Sequence, residues 1–198
     1  RPILALALPF LLSPLMRVCA QDTFSMVAVD SVTGEVGGIG ASCVYLAQFP
    51  QFDTDFLSEL FPGKGAINSQ AWYLPENQAY ARSLMNAGYA PSVIIDSLVA
   101  NDFQGTPELR QYGIAALVDG SPVTAAHTGS GTDDYKNHIL GPNYAIQGNI
   151  LLGQQVLDFM EYNFLNTEGD LACKLMAALQ GANMIGADSR CAPRGTSS

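Results

Sequence analysis

A two-residue alternation begins at Thr23. Phe24, Met26 and Ala28 fall on one side of an extended strand, and Thr23, Ser25, Val27 and Val29 on the other. Asp30-Ser31-Val32-Thr33-Gly34-Glu35 interrupts the pattern and reads as a tight turn, with Gly34 free to take a positive φ. The arm that follows is almost all small: Gly37, Gly38, Gly40, Ala41, Ser42. Such residues weaken a strand, so a run of them marks close approach of another backbone or a ligand. Pairing Asp30 with Glu35 sets Thr23 opposite Ser42, and a bulge would move that register by one. The hairpin over residues 23–43 is therefore expected to bring two hydroxyls together beside a glycine-lined floor.

Residues 44–64 hold four Phe, one Tyr and two Pro and read as an irregular excursion with one helical turn near 55–60. Its Asp53, Asp55 and Glu59 lack the glycine and terminal glutamate of a calcium loop and read as a solvated acidic face. Residues 65–71 predict a third strand, with Asn68 and Gln70 on one face. Two helices follow. The first covers about 75–87 and is closed by Gly88; the second starts at Pro91 and runs to about 100, with Val93, Ile94, Leu98 and Val99 as its stripe. The short link between them makes them neighbours. Strands over 112–118 and 123–127 join at Asp119-Gly120, a strong hairpin signal. A polar loop with Asp133, Asp134, Lys136 and His138 then leads to a short strand at 144–147 and to Gly148-Asn149. Residues 153–163 read as a helix carrying Val156, Leu157 and Met160, with Phe164 next on the same stripe. Thr167-Glu168-Gly169-Asp170 reads as a capping box with Asp in place of Glu, opening a last helix with Leu171, Leu175, Ala178 and Leu179 on one side. Residues 190–198 look like the approach to another strand, so the fold is expected to be truncated at that end. Strands and helices come in blocks, which argues for an α+β protein with antiparallel sheets and segregated helices.

Composition adds location and excludes some partners. With 198 residues and 48% hydrophobic content, one domain with a sizeable core is the default. Residues 2–16 are apolar and Val18-Cys19-Ala20 fits a small-residue cleavage site. The run is too short, and too interrupted by Pro9 and Pro14, to suit a membrane span. Residues 1–20 are thus read as a signal peptide whose start is missing, and 21–198 as a single secreted or periplasmic domain. Cleavage after Ala20 removes Arg1 and Arg17 and moves the formal charge from −9 to −11. So acidic a chain is a poor partner for nucleic acid or an anionic membrane surface. No cofactor and no metal site is read from the sequence. Export makes one disulfide among Cys43, Cys173 and Cys191 plausible; Cys173 with Cys191 closes the shortest loop, though sequence does not decide the pairing.

The series TFSMVAVD, TGEVGGIGAS, NSQAW, AAHTG, QGNIL and the TEGDLA helix, spread over residues 23–188, resembles the bacterial proteins of the domain of unknown function 1028. That family is similar to the N-terminal-nucleophile (Ntn) hydrolases, so the resemblance implies a four-layer αββα sandwich of two antiparallel sheets. It also nominates Thr23 as nucleophile, with Ser42 as its proton partner. A threonine hydroxyl becomes reactive when a free α-amine beside it takes the proton, and only a first residue has such an amine. In the same scheme Asn149 donates to an oxyanion, His127 acts as acid or base, and Gln70 and Gln147 orient a small amide substrate. Cleavage after Ala20 would leave Gln21 and Asp22 ahead of Thr23, so further trimming is required. Each residue also has a plain structural reading: a strand start for Thr23, a turn for Gln147-Gly148-Asn149. Two functions follow as expectations: an exported amide hydrolase, or a non-catalytic binding or envelope-associated module that keeps the fold. A homo-oligomer stays open.

Overall fold

The computed structural model describes residues 23–53 and 55–198. The signal-peptide reading falls on residues 1–20 and lies outside the described residues. Among the described residues, eight strands form two antiparallel sheets of four. The first contains β1 (Thr23–Val29), β2 (Val36–Ser42), β7 (Asn137–Leu140) and β8 (Tyr144–Gly148), in the order β2-β1-β8-β7. The second runs β3-β4-β5-β6, with β3 (Ser58–Phe61), β4 (Gly65–Ala71), β5 (Arg110–Val118) and β6 (Ser121–Thr128). Helices α1 (Pro75–Asn86) and α2 (Pro91–Ala100) separate β4 from β5, while α3 (Gln155–Asn166) and α4 (Leu171–Gly181) follow β8.

The alternation in β1 explains the packing, because both faces of that strand are buried. Phe24, Met26 and Ala28 meet Leu157 and Met160 of α3 and Leu171 and Leu175 of α4. Val27 and Val29 turn the other way and meet Ala66, Ala115 and Ala145 between the sheets. Helices α1 and α2 cover the far face of the second sheet over Ile67, Tyr112 and Ile114. Each large side chain buried in this way contributes about 1.5–3 kcal/mol. The sheets stack strand on strand, β1 over β4 and β8 over β5, with β2 beside β3 and β7 beside β6. The glycines of β2 let the sheets close: a Cβ on Gly38 would lie 3.1 Å from Ser58 Oγ and 3.2 Å from Asn68 Oδ1.

Several expectations are corrected. The excursion after β2 carries a real strand, β3, where a helical turn was expected. Ser58 pairs with Asn68 and donates to its Oδ1 at 2.6 Å, and Glu59 is drawn outward to Arg82 and Gln78. Residues 137–140 are strand rather than loop, because Ile139 and Leu140 pair with Ile146 and Ala145 of β8. The cap of α4 is Asp170 itself, which accepts from the Cys173 N–H at 2.8 Å, so no capping box starts at Thr167. The disulfide joins Cys43 to Cys191, with Cα atoms 5.9 Å apart; Cys173 is free and exposed in the first turn of α4. Residues 189–194 form a 3₁₀ helix and not the approach to a strand. The buried Asp188 anchors that helix, accepting from the Cys43 N–H at 2.8 Å and from the Arg190 guanidinium.

Candidate functional site

One end of the inter-sheet space is polar, and strand parity puts it there. Thr23 pairs with Ser42, and Ser25 lies between Gly40 on one side and Gln147 on the other. Gln147 in turn pairs with His138. On the facing sheet Gln70, Gln111 and Thr128 are cross-strand neighbours. Two rows of polar side chains therefore face each other across the gap.

They close into one hydrogen-bonded chain. Gln147 Nε2 donates to Ser25 Oγ at 2.6 Å, and Ser25 Oγ donates to Gln70 Oε1 at 2.5 Å. Gln70 Nε2 donates to the Thr23 carbonyl at 3.0 Å and to Gln111 Oε1 at 2.6 Å. Gln111 Nε2 reaches Thr128 Oγ1 at 2.9 Å and the Gly148 carbonyl at 3.0 Å. Thr128 Oγ1 in turn lies 2.9 Å from His138 Nδ1, which extends the chain to the imidazole. Burial, aided by the nearby His127, holds the His138 pKa below its ordinary value. Gln147 Oε1 is buried with no partner among the described residues, and a Cβ on Gly113 would fall 1.8 Å from it. An unmade bond at a buried acceptor costs about 1–3 kcal/mol.

The backbone beside these groups is strained. Ala71, directly after Gln70, has φ 67°, and Ile150, directly after Asn149, has φ 52°. A left-handed conformation is costly for a residue with a Cβ and rarer still for a β-branched one, and such strain clusters at functional sites. Both turns face the start of β1: the Asn149 N–H donates to the Thr23 carbonyl at 3.1 Å, as Gln70 does from the other sheet. The Ile150 turn is fixed by bonds from its N–H to the Asp133 carbonyl and from Ser189 N–H to its own.

Of the residues read from sequence, Thr23, Ser42, Asn149, Gln70 and Gln147 come together at this end of the sheets. Thr23 and Asn149 are buried, and Ser42 Oγ accepts from the Val44 N–H at 3.3 Å. Both glutamines are tied to β1: Gln70 Nε2 donates to the Thr23 carbonyl and to Gln111, and Gln147 Nε2 donates to Ser25. His127 is not part of the cluster. It pairs with Tyr112, and that parity turns it to the helix-covered face, where Nε2 meets the Pro107 carbonyl at 3.0 Å. The histidine on the inter-sheet face is His138. Sequence reasoning also missed Ser25 and Gln111, although both carry a usable signal: Ser25 shares the parity of Thr23, and Gln111 that of Gly113 and Ala115. A pocket of about 130 Å³ opens beside Ser42, between β2 and the chain over residues 55–58. No cluster of three or more metal-binding side chains occurs among the described residues.

The molecule is thus an α+β protein in which two stacked antiparallel sheets enclose a hydroxyl-and-amide cluster at the head of a central strand. It belongs to DUF1028, described as a family of unknown function, whose model matches residues 23–198. The crystal structure of protein SPO2555 from Silicibacter pomeroyi, of the same family, is similar in fold. The two are 22% identical with a TM-score of 0.67, over 81% of this chain and 69% of that one. A search of the curated proteins finds no match.

Proposed function

We propose that this is an exported amide hydrolase of the Ntn type, with Thr23 as its nucleophile. One observation carries the reading. Thr23 heads a central strand, on its inter-sheet face and opposite Ser42, and the family match begins at the same residue. The succession of helix pair, sheet, sheet and helix pair supports the Ntn-like sandwich. The disulfide supports an oxidising compartment, as export through a signal at residues 1–20 requires.

Chemistry starts once the Asp22–Thr23 bond is cut. The freed α-amine takes the Thr23 hydroxyl proton, and the oxygen attacks the carbonyl of a small amide. The Asn149 carboxamide stabilises the oxyanion, and Ser42 relays protons across the hairpin. The proton passes to the departing amine, leaving a threonyl ester that water hydrolyses to the acid. Gln70 and the Asn149 N–H keep the Thr23 carbonyl, and so its amine, in place.

Mass spectrometry of the mature protein tests this reading. A chain starting at Thr23, with amidase activity that Thr23→Ala abolishes while folding persists, is the expected result. A mature chain starting at Gln21, or unchanged turnover in the variant, overturns it. The full burial of Thr23 favours a second reading, a binding module that keeps the pocket without the free terminus.

A further inference from the structure

We propose that β2 is a dimer edge: two copies of this chain pair along it, β2 against β2, to make one continuous eight-stranded sheet. The inference is independent of Thr23 and of any reaction. Ladder parity sets it up. The Asp30 N–H donates to the Glu35 carbonyl at 2.9 Å, so the bonded pairs of this hairpin recur at Ala28–Gly37 and Met26–Ile39. Between them, Val36, Gly38 and Gly40 turn their N–H and C=O groups away from β1, to the outer side of the sheet. On β1 the same parity turns the Val29 N–H to the Asn143 carbonyl, at 2.9 Å. Among the described residues no strand takes up the outward groups of β2.

The other three sheet edges are guarded. β3 and β7 have four residues each; Pro62 follows β3, Lys136 precedes β7, and β6 carries Pro122. β2 has seven residues, with no proline, no charge and no bulge in its register. An apolar groove of about 510 Å³ runs beside it, walled by Ala172, Leu175 and Met176 of α4 on one side and by Leu60 and Pro62 on the other. Met176 and Leu60 are themselves half-exposed. One face thus holds both an apolar hollow and large apolar side chains to fill one, the self-complementarity that a two-fold interface needs.

Geometry favours a second copy as the occupant. Pairing the outward groups of Val36, Gly38 and Gly40 fixes the register: Gly38 meets its own copy, and Val36 meets Gly40 of the second chain. All three outward N–H groups of each chain are then satisfied. The two Glu35 side chains fall at opposite ends of the pair, so the net negative charge of the chain does not converge there. Helix α4 lies over β2 and β1. With paired strands ~4.8 Å apart, the two α4 helices come to roughly 10 Å from each other, a packing distance for helices. The face is about 23 Å long, from seven residues at ~3.3 Å, and crosses three layers, α4 and both sheets, over roughly 30 Å. That reaches the scale of a standard interface, ~800 Å² per partner.

Sedimentation equilibrium and NMR amide exchange on the purified protein test this together. The expected mass is twice that of one chain. In the dimer the outward amides of Val36, Gly38 and Gly40 are expected to exchange as slowly as the inward ones of Gly37 and Ile39; in a monomer every second amide of β2 exchanges fast. Met176→Glu sets like charges on the two α4 helices and is expected to raise the dimer dissociation constant about tenfold or more. Because Met176 is half-exposed, circular dichroism of the variant is expected to be unchanged. A monomer at ~100 μM overturns the proposal, even one whose outward amides are protected by a bound extended peptide. A dimer in which those three amides exchange freely, or one that Met176→Glu leaves as tight, uses another face and overturns it as well.

Discussion

At the scale of single residues, His138 is the group most sensitive to its surroundings. Its Nδ1 lies 2.9 Å from Thr128 Oγ1, and burial disfavours its charged form. Its pKa in the folded protein is therefore below the ordinary 6.5, so the unfolded chain binds the proton more readily. Its contribution to stability is complete above 6.5 and is lost as the pH falls through 6.5 toward the folded value. Urea unfolding at pH 7.5 and pH 5 is expected to show a loss on the acid side, and His138→Gln to shrink it. An unchanged acid-side loss in that variant would remove His138 from the account. Much of this chemistry was readable at the residue level. The parity of β1 and the Thr23–Ser42 register follow from alternation and one turn, and the structure has both. His127 shows the limit: a histidine at a strand end has two faces to choose between, and only the partner strand decides.

At the scale of elements, the sequence is clear where one signal dominates and silent where two compete. The α2 helix begins at Pro91 and ends at Ala100 as its proline start and apolar stripe predict, and β5 and β6 turn at Asp119-Gly120, both with positive φ. Strands β3 and β7 have only four residues each and mix charge or amide with apolar positions, so pairing rather than pattern makes them strands. The link between α2 and β5 depends on a feature that no periodicity announces. Arg110 is buried and donates to Asp102 through Nε at 2.8 Å, and its other nitrogens reach the Trp72 carbonyl, Gln104 and Thr106. Asn77 of α1 donates to the same carboxylate at 2.6 Å and to Tyr112 at 2.8 Å. Burial alone would raise the Asp102 pKa. The bonds from Arg110, the Thr106 N–H, Asn77 and the Gln104 N–H outweigh it and hold the carboxyl well below 3.8. The resulting stability is present above 3.8 and is lost as pH falls through the folded value. Removing one partner leaves the other charge buried, so Arg110→Ala is expected to cost about 3–5 kcal/mol in denaturant unfolding. A loss under about 1 kcal/mol would mean the pair is no better than a surface one.

At the scale of the whole molecule, the two sheets adhere by different means at their two ends. Small apolar side chains close one end, with Val27 and Val29 against Ala66 and Ala115, and the Ser25–Gln70–Gln111–Gln147 chain closes the other. A seam of amides gives fixed geometry where an oily one would slide, which suits the end that holds Thr23. Outside the sheets, the Cys43–Cys191 bond ties the exit of β2 to the last 3₁₀ helix across a separation of 148 residues. Closing so long a loop restricts the unfolded chain by roughly 4–5 kcal/mol in the entropic view. It also imposes an order of events on the nascent chain. Cys43 emerges 148 residues before its native mate, while Cys173 becomes reachable in between and stays solvent-facing in the finished fold. A premature Cys43–Cys173 link is thus the natural detour, to be undone by thiol exchange once Cys191 arrives. Oxidative refolding of Cys173→Ser is accordingly expected to reach the native bond faster and without isomerase, as quenched thiol-trapping time courses would reveal; equal rates would show that the detour is never taken.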